Sequence, residues 1–198
     1  MPSSWWHRSG SRCWHQECRL TSASGEWPCL TSLAEWVETD PRVGVRMIEA
    51  LAEELRLLSR VGALRTVDLR DELALCRLHL RVMSLRHDAP LELSAEGVDE
   101  ARQLPPAVLH TLIENALTHN HYPQGATFLV QERVADDRRT YELRCPPGRQ
   151  QDEVPGVATG TGLDYVRARL SESFADRWRL TDGRAADGAW VTCIEVPA

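Results

Sequence analysis

The sequence predicts an α+β protein in which a helical segment is followed by a two-layer α/β sandwich. Up to about residue 87, apolar residues recur with the spacing of helices. After Pro90, short stretches that alternate apolar and polar residues lie between helical stretches, as expected of a mixed sheet. A chain of 198 residues that is 42% hydrophobic can bury one moderate core or two small ones. We therefore place a domain boundary near residues 87 to 90.

Three helices are predicted before that boundary. The first covers residues 30 to about 37 and ends where Asp40-Pro41 breaks the pattern. Asp40 is a good N-cap for a second helix over residues 41–60, and Pro41 suits its first turn because the missing N–H costs little there. The third helix covers about 67–87, and Asp68, Asp71 and Glu72 suit the positive end of its dipole.

The second of these helices is expected to have two faces. The apolar face holds Val43, Met47, Ile48, Leu51, Leu55 and Leu58. The charged face holds Glu49, Glu53, Glu54 and Arg56, which we expect to be exposed to solvent.

The second half is predicted to contain strands and two helices. Strands are expected over residues 91–94, 127–134 and 140–144, the last two joined by a turn at 136–139. A loop covers 146–161, a helix covers 163–172, and a hairpin with its turn at Asp187-Gly188 closes the chain.

Composition restricts the setting and the partners. No apolar run approaches the roughly 20 residues that cross a bilayer, so we expect a soluble cytoplasmic chain, the alternative being membrane association through a partner or a missing N-terminal segment. The net charge of −6 argues against direct nucleic-acid binding. The six cysteines form no CxxC pair, which favours reduced thiols, and the spacing of Cys13, His15 and Cys18 matches no common zinc finger.

The only asparagines of the chain, Asn115 and Asn120, fall in one stretch over residues 104–121. Pro105 and Pro106 suit the first turn of a helix, and the apolar residues after them have helical spacing. This helix is the first candidate for a functional element.

Thr111, Asn115 and Thr118 share a stripe at the edge of the apolar face of this helix, with His119 one turn beyond Asn115. An asparagine in that place can meet a ligand while its helix stays packed. The alternative is a polar helix cap followed by a turn.

A glycine motif follows about 45 residues after Asn115. Gly160 and Gly162 would let the backbone turn tightly and approach phosphate oxygens. The helix that starts there has free N–H groups, which favour bound anions. Such glycine pairs are also common in plain turns, so the weight of this motif comes from its position.

Glu114-Asn115 followed by His119 resembles the N box of the histidine-kinase ATP-binding domain, and residues 104–121 look like the version in LytS/YehU-type sensor kinases. Residues 159–170 are similar to the glycine box of that family. The resemblance covers nearly everything after residue 22. It implies an N-terminal tail over 1–21, a helical dimerisation and phosphotransfer-like segment over 22–88, and an ATP-binding catalytic domain of the histidine-kinase type over 89–198.

The resemblance also implies roles for the matched residues. Asn115 would coordinate the magnesium ion on the phosphates of ATP, and a neutral amide oxygen is a suitable ligand for that hard cation. Glu114 would be the catalytic residue that polarises the attacking histidine. The nucleotide-binding residues would be Asn115, His119, Cys145, Gly160, Thr161, Gly162 and Leu163.

Two positions depart from the family pattern. Cys145 stands where the family has an acidic residue or Asn that accepts a hydrogen bond from adenine, and a thiol is a poor acceptor. Losing such a bond costs about 1.5 to 3 kcal/mol, so we expect weaker ATP binding or help from a neighbouring backbone group. The position of the phosphoacceptor histidine falls on Ser24, whose hydroxyl cannot replace an imidazole as a phosphate acceptor.

Three functions are compatible with these observations. The first is the cytoplasmic, dimeric core of a two-component sensor histidine kinase that binds Mg-ATP and signals to a response regulator, by resemblance a DNA-binding one. The second is a catalytically degenerate kinase-like module that acts by dimerisation or a nucleotide-dependent conformational change, which Ser24 and Cys145 favour. The third is an anti-sigma-type kinase of the same fold acting on protein serine, which the long helical segment disfavours. The missing histidine leaves enzymatic activity open.

Overall fold

The computed structural model describes residues 35–150 and 161–198, and the elements below lie in those two ranges. The helices are α1 (Pro41–Val61), α2 (Leu69–His87), α3 (Val108–His119) and α4 (Thr161–Phe174). The strands are β1 (Val67–Asp68), β2 (Leu91–Glu96), β3 (Gln103–Leu104), β4 (Asn120–His121), β5 (Ala126–Ala135), β6 (Arg138–Cys145), β7 (Arg149–Gln150), β8 (Arg179–Arg184) and β9 (Trp190–Pro197). Residues 35–39 are helical as well.

Five strands form the main sheet in the order β2-β5-β6-β9-β8. β2 runs parallel to β5, and the other neighbours are antiparallel. Buried and less buried residues alternate along β6 and β9, so the helices cover one face of this sheet. The α+β class and the strands predicted after Pro90 are confirmed.

Helices α2, α3 and α4 share one hydrophobic core with the sheet. Leu73, Ile113 and Leu170 come from the three helices, and Phe128 and Tyr141 come from β5 and β6; all five are buried. α2 thus packs against elements that follow it in the chain. The boundary at residues 88 and 89 stays a prediction about domain organisation.

The start of α1 follows the prediction. The Asp40 carboxylate accepts hydrogen bonds from the N–H groups of Arg42 (3.0 Å) and Val43 (3.3 Å), and Pro41 is the first helical residue. The side chain of Asp40 therefore satisfies two of the N–H groups that a helix start leaves without partners.

The predicted faces of α1 are wrong at three positions. Glu54, expected in solvent, is 3% exposed, whereas Ile48 and Leu55 are 46% and 43% exposed. The buried stripe runs through Met47, Ala50 and Glu54. Glu54 can be buried because two histidines satisfy its carboxylate, which the spacing along one helix could not reveal.

The prolines expected in the first turn of α3 lie just before it. The N-cap is Ala107, in the left-handed region at φ 61°, and the helix begins at Val108. Pro105 and Pro106 are buried beside β3. The expectation that these prolines form the first turn of α3 is wrong, because the helix starts where a side chain from another element caps it.

That cap is the carboxylate of Glu72 on α2. It accepts hydrogen bonds from the backbone N–H groups of Ala107 (2.7 Å), Leu109 (2.7 Å) and His110 (3.2 Å). Burial raises the pKa of Glu72, and these donors offset part of that effect. Glu72 lies in the first turn of α2, as expected, and its carboxylate caps the N-terminus of α3 as well.

The described cysteines agree with the sequence analysis. Cys76 and Cys145 are buried and Cys193 is half-buried, and all three carry free thiols. Cys13, His15 and Cys18 lie outside the described residues, and so does Ser24. Within the described ranges, every helix is too short or too polar to span a bilayer.

Candidate functional site

The two sequence motifs meet at the C-terminal half of α3. Asn115 is half-buried, and its side chain lies against Gly162, the second residue of α4. A Cβ built on Gly162 would lie 2.4 Å from Asn115 Oδ1 and 2.5 Å from Nδ2, closer than the 3.0 Å below which such contacts essentially do not occur. A glycine at 162 is therefore what lets the asparagine amide reach the start of α4.

Packing fixes α4 against α3. Val166 and Leu170 of α4 are fully buried in the core. The hydroxyl of Tyr165 donates to the carbonyl oxygen of Pro106 at 3.4 Å, which ties α4 to the chain just before α3. The start of α4 is thereby held beside Asn115, and the N–H groups of a first helical turn have no acceptor within their own helix.

A short strand pair places the chain on the other side of the site. Asn120 pairs with Gln150 and His121 pairs with Arg149 in the β4-β7 ladder. The described chain before residues 151–160 ends beside Asn120, and the described chain after them begins beside Asn115. These two asparagines are separated by roughly 7.5 Å along the axis of α3 at 1.5 Å per residue. Both ends of that segment thus flank the last turn of α3, while the segment and its Gly160 lie outside the described residues.

Cys145 ends β6 and is 2% exposed. Burial raises its pKa to about 12, so the thiol stays neutral and unreactive at neutral pH. The neighbouring Tyr122 is buried too, and its hydroxyl donates to the carbonyl oxygen of Pro146 at 3.2 Å. The assignment of Cys145 to the adenine position stays a prediction.

The other predicted site residues lie around the same place. Glu114 is 8% exposed, and its Oε2 lies 3.9 Å from Nδ1 of His110 one turn earlier. His119 is exposed at the end of α3, and Leu163 is half-buried against the core. Thr161 is the first residue of α4. The fold brings Asn115, Gly162 and Leu163 together, and the roles of all these residues in binding stay predictions.

The structure also contains a polar cluster that sequence reasoning missed. Oε1 of Glu54 on α1 lies 2.9 Å from Nδ1 of His79 on α2 and 3.1 Å from Nε2 of His110 on α3. Burial alone would raise the pKa of Glu54, but the two imidazoles outweigh it and lower that pKa to about 2. The carboxylate is therefore ionised and accepts from both rings.

A signal for this cluster was present in the sequence. Glu54 follows Met47 and Ala50 at the spacing of a buried helical stripe, and His79 stands three residues after Cys76. His110 interrupts the apolar run of α3. Each of these positions signals a buried polar group that needs a partner, although spacing within a helix does not identify that partner.

No protein-family model and no curated protein matches this sequence. Several solved structures are similar to it in fold. A bacterial phosphotransferase is 11% identical over 84% of this chain and 86% of its own, with a TM-score of 0.53. The Acinetobacter baumannii histidine kinase AdeS is 16% identical over 78% of this chain and 80% of its own, with a TM-score of 0.47. The cytoplasmic segment of the histidine kinase QseC is 18% identical over 74% of this chain and 89% of its own, with a TM-score of 0.45.

These comparisons bear on the fold alone. The phosphotransferase shares the overall arrangement of helices and sheet with this chain, in agreement with the predicted α/β sandwich. At 11% identity this likeness shows the fold and does not test the predicted family. The LytS/YehU-type histidine-kinase resemblance stays a prediction, as does the degenerate phosphoacceptor.

Proposed function

We propose that this chain binds Mg-ATP between α3 and α4 and serves as the cytoplasmic core of a two-component sensor histidine kinase. The observation that carries the proposal is the contact of the Asn115 carboxamide with Gly162. The sequence motifs predicted a metal-binding asparagine and a phosphate loop about 45 residues apart. Their proximity in the fold supports the proposal, because the asparagine and the start of α4 would both border a bound triphosphate.

The chemistry of the site suits a nucleotide triphosphate and its metal ion. Magnesium prefers oxygen ligands and keeps several waters, so one amide oxygen beside the phosphates is a sufficient protein contribution. The N–H groups at the start of α4 favour phosphate oxygens nearby. The missing side chain of Gly162 leaves room for the Asn115 amide beside those N–H groups. Asn115 would hold the ion, and Glu114 would be positioned next to it in the chain.

A second candidate is a catalytically degenerate module that uses nucleotide only as a conformational ligand. The buried, neutral thiol of Cys145 favours it, because adenine would lose an acceptor there. Ser24 in the place of the phosphoacceptor favours it as well. Under the first candidate the chain signals to a response regulator, whereas the degenerate module would dimerise with an active kinase or a regulator.

We also propose that the chain forms a homodimer through its helical segment. Val45, Ile48 and Leu55 on α1 are 52%, 46% and 43% exposed and lie on one side of the helix. A second copy could cover this apolar side. Ile48→Glu should shift the chain from dimer to monomer in light scattering, whereas an unchanged mass would exclude this face as the dimer contact.

A magnesium-dependent ATP titration tests the main proposal. By calorimetry, Asn115→Ala should bind ATP at least about tenfold more weakly and lose its magnesium dependence. Asn120→Ala is the matched control, because Asn120 Nδ2 donates to the carbonyl of Ala116 and serves the end of α3. Equal magnesium-dependent binding by the wild type and Asn115→Ala would refute the proposal.

Incubation with labelled ATP then separates the candidates. Acid-labile label on the chain supports the active histidine kinase, with a histidine other than the family's usual one as acceptor. Binding without label supports the degenerate module. Label on a protein serine substrate would instead support the anti-sigma-type kinase.

A further inference from the structure

Glu54, His79 and His110 converge on one point at the junction of α1, α2 and α3. Their exposed fractions are only 3% to 4%, so the cluster is sealed from solvent. One potential ligand atom from each residue lies within 4.8 Å of the others. Three different helices thus deliver three metal-ligating side chains to a common centre.

The spacing fits a small metal ion. In a tetrahedral zinc site with bonds of about 2.0 to 2.1 Å, neighbouring ligand atoms stand about 3.3 Å apart. Glu54 Oε1 is already 2.9 Å and 3.1 Å from the two imidazole nitrogens. Both of these distances are within a few tenths of an ångström of that spacing, and the two imidazole nitrogens lie within 4.8 Å of each other.

The ligand types indicate which class of metal would bind. Two imidazole nitrogens with one carboxylate oxygen suit zinc and similar divalent transition metals, whereas magnesium and calcium prefer oxygen ligands throughout. Two histidines and a glutamate are an established zinc ligand set, completed by a water. This site would therefore be distinct in chemistry from a magnesium site at Asn115.

A further contact supports metal-ligating geometry at His110. If Nε2 binds the ion, its proton moves to the other ring nitrogen or to solvent, and Nδ1 becomes the donor. Nδ1 is buried without a hydrogen-bond partner among the described residues, and Glu114 Oε2 lies 3.9 Å away. Histidine ligands usually donate their second N–H to a carboxylate or a backbone carbonyl, and this pair would have to close by about 0.7 Å to form that hydrogen bond.

We propose that Glu54, His79 and His110 form a binding site for a divalent transition metal of the zinc class, which pins α1, α2 and α3 together. The site does not depend on nucleotide binding. It would join the helical segment to the helix that carries Asn115, since His110 lies one turn before Glu114.

Cobalt titration of the full chain, stripped of metal with a chelator, tests this site. Cobalt in a four-coordinate site of nitrogen and oxygen ligands should give visible absorption that saturates at one equivalent and is displaced by zinc. His79→Gln, His110→Gln and Glu54→Gln should each weaken binding at least about tenfold. The matched control is His87→Gln with His121→Gln, whose rings contact each other at 5.5 Å between centroids; this variant should bind like the wild type.

Zinc X-ray absorption of the wild-type chain provides a measurement that needs no variant. We expect two imidazole ligands and no sulfur in the first shell. Sulfur ligands would place the metal elsewhere, for example at Cys13 and Cys18, and would overturn the proposal. So would an absence of cobalt and zinc binding, which would leave a hydrogen-bonded cluster only, or unchanged binding by variants that retain the wild-type circular dichroism spectrum.

Discussion

Gly162→Ala is the sharpest single perturbation of the proposed nucleotide site. The added Cβ would lie 2.4 Å from Oδ1 and 2.5 Å from Nδ2 of Asn115. The amide must then retreat by about 1 Å to reach the 3.4 Å at which ordinary van der Waals contact begins. Asn115 is half-buried and short, so it can turn toward solvent and away from α4.

The expected cost to stability is small. Turning Asn115 off its rotamer costs about 0.5 to 1.5 kcal/mol. Replacing glycine by alanine at the start of a helix stabilises the folded state by up to about 1 kcal/mol. The free energy of unfolding should therefore change by no more than about 1.5 kcal/mol.

The expected effect on Mg-ATP binding is at least as large as the upper limit for stability. The methyl group displaces the Asn115 amide, which then no longer reaches the proposed metal ion. We expect Mg-ATP affinity to fall at least about tenfold, or about 1.4 kcal/mol, while the fold is retained. Calorimetry measures the affinity, and urea unfolding measures the stability of the same samples.

A double-mutant cycle separates the contact from other effects. In the Asn115→Ala background the clash is gone, so Gly162→Ala should no longer cost stability. Gly183→Ala is the matched control, because a Cβ there meets nothing within 4 Å. Wild-type Mg-ATP affinity in Gly162→Ala, or the same stability cost in both backgrounds, would refute the reasoning.

Three other perturbations address different parts of the molecule. Glu72→Gln should lower the unfolding free energy in urea by about 2 to 4 kcal/mol, because N–H groups at the start of α3 lose an acceptor; the exposed Glu53→Gln should have little effect, and equal midpoints for the two would contradict the capping role. Cys145→Asp should raise the preference for ATP over GTP about tenfold in calorimetry by restoring an acceptor for adenine, and an unchanged preference would remove residue 145 from that site. Burial, with the charges of Arg86 and His121, lowers the pKa of His87 from 6.5 to about 4. The unfolded chain therefore binds more protons between those pH values, so stability should fall as pH drops from 6.5 to 4. Thermal melts of His87→Gln should fall less steeply there, and identical slopes would exclude this contribution.

Local signals in the sequence were sufficient for much of the fold. Asp40-Pro41 fixes the start of α1 because an N-cap and a proline act within one helical turn. The alternation of residues in β6 identifies both its strand character and its buried face. The spacing between Asn115 and Gly162 along the chain does not show that they meet. Their proximity could be predicted only from the resemblance to a known arrangement.

The features that the sequence could not supply are those made between distant elements. From the sequence of α1 alone, Glu54 belongs to a charged, solvated face. It is buried because His79 and His110, on other helices, contact its carboxylate. Likewise, Ala107 has no capping side chain, so the start of α3 can be located only when Glu72 is known to lie there. Spacing within one helix cannot predict a partner 25 or 35 residues away.

The hydrogen bonds between Glu72 and the start of α3 set a minimum length for any fragment of this protein that is to fold. A truncated chain that starts at residue 89 would have three amide hydrogens at the head of the asparagine helix without their acceptor. It would also lack Leu69, Leu73 and Leu80, which form part of the layer on which that helix rests. A recombinant fragment intended for nucleotide studies should therefore begin upstream of Val67, with α2 retained.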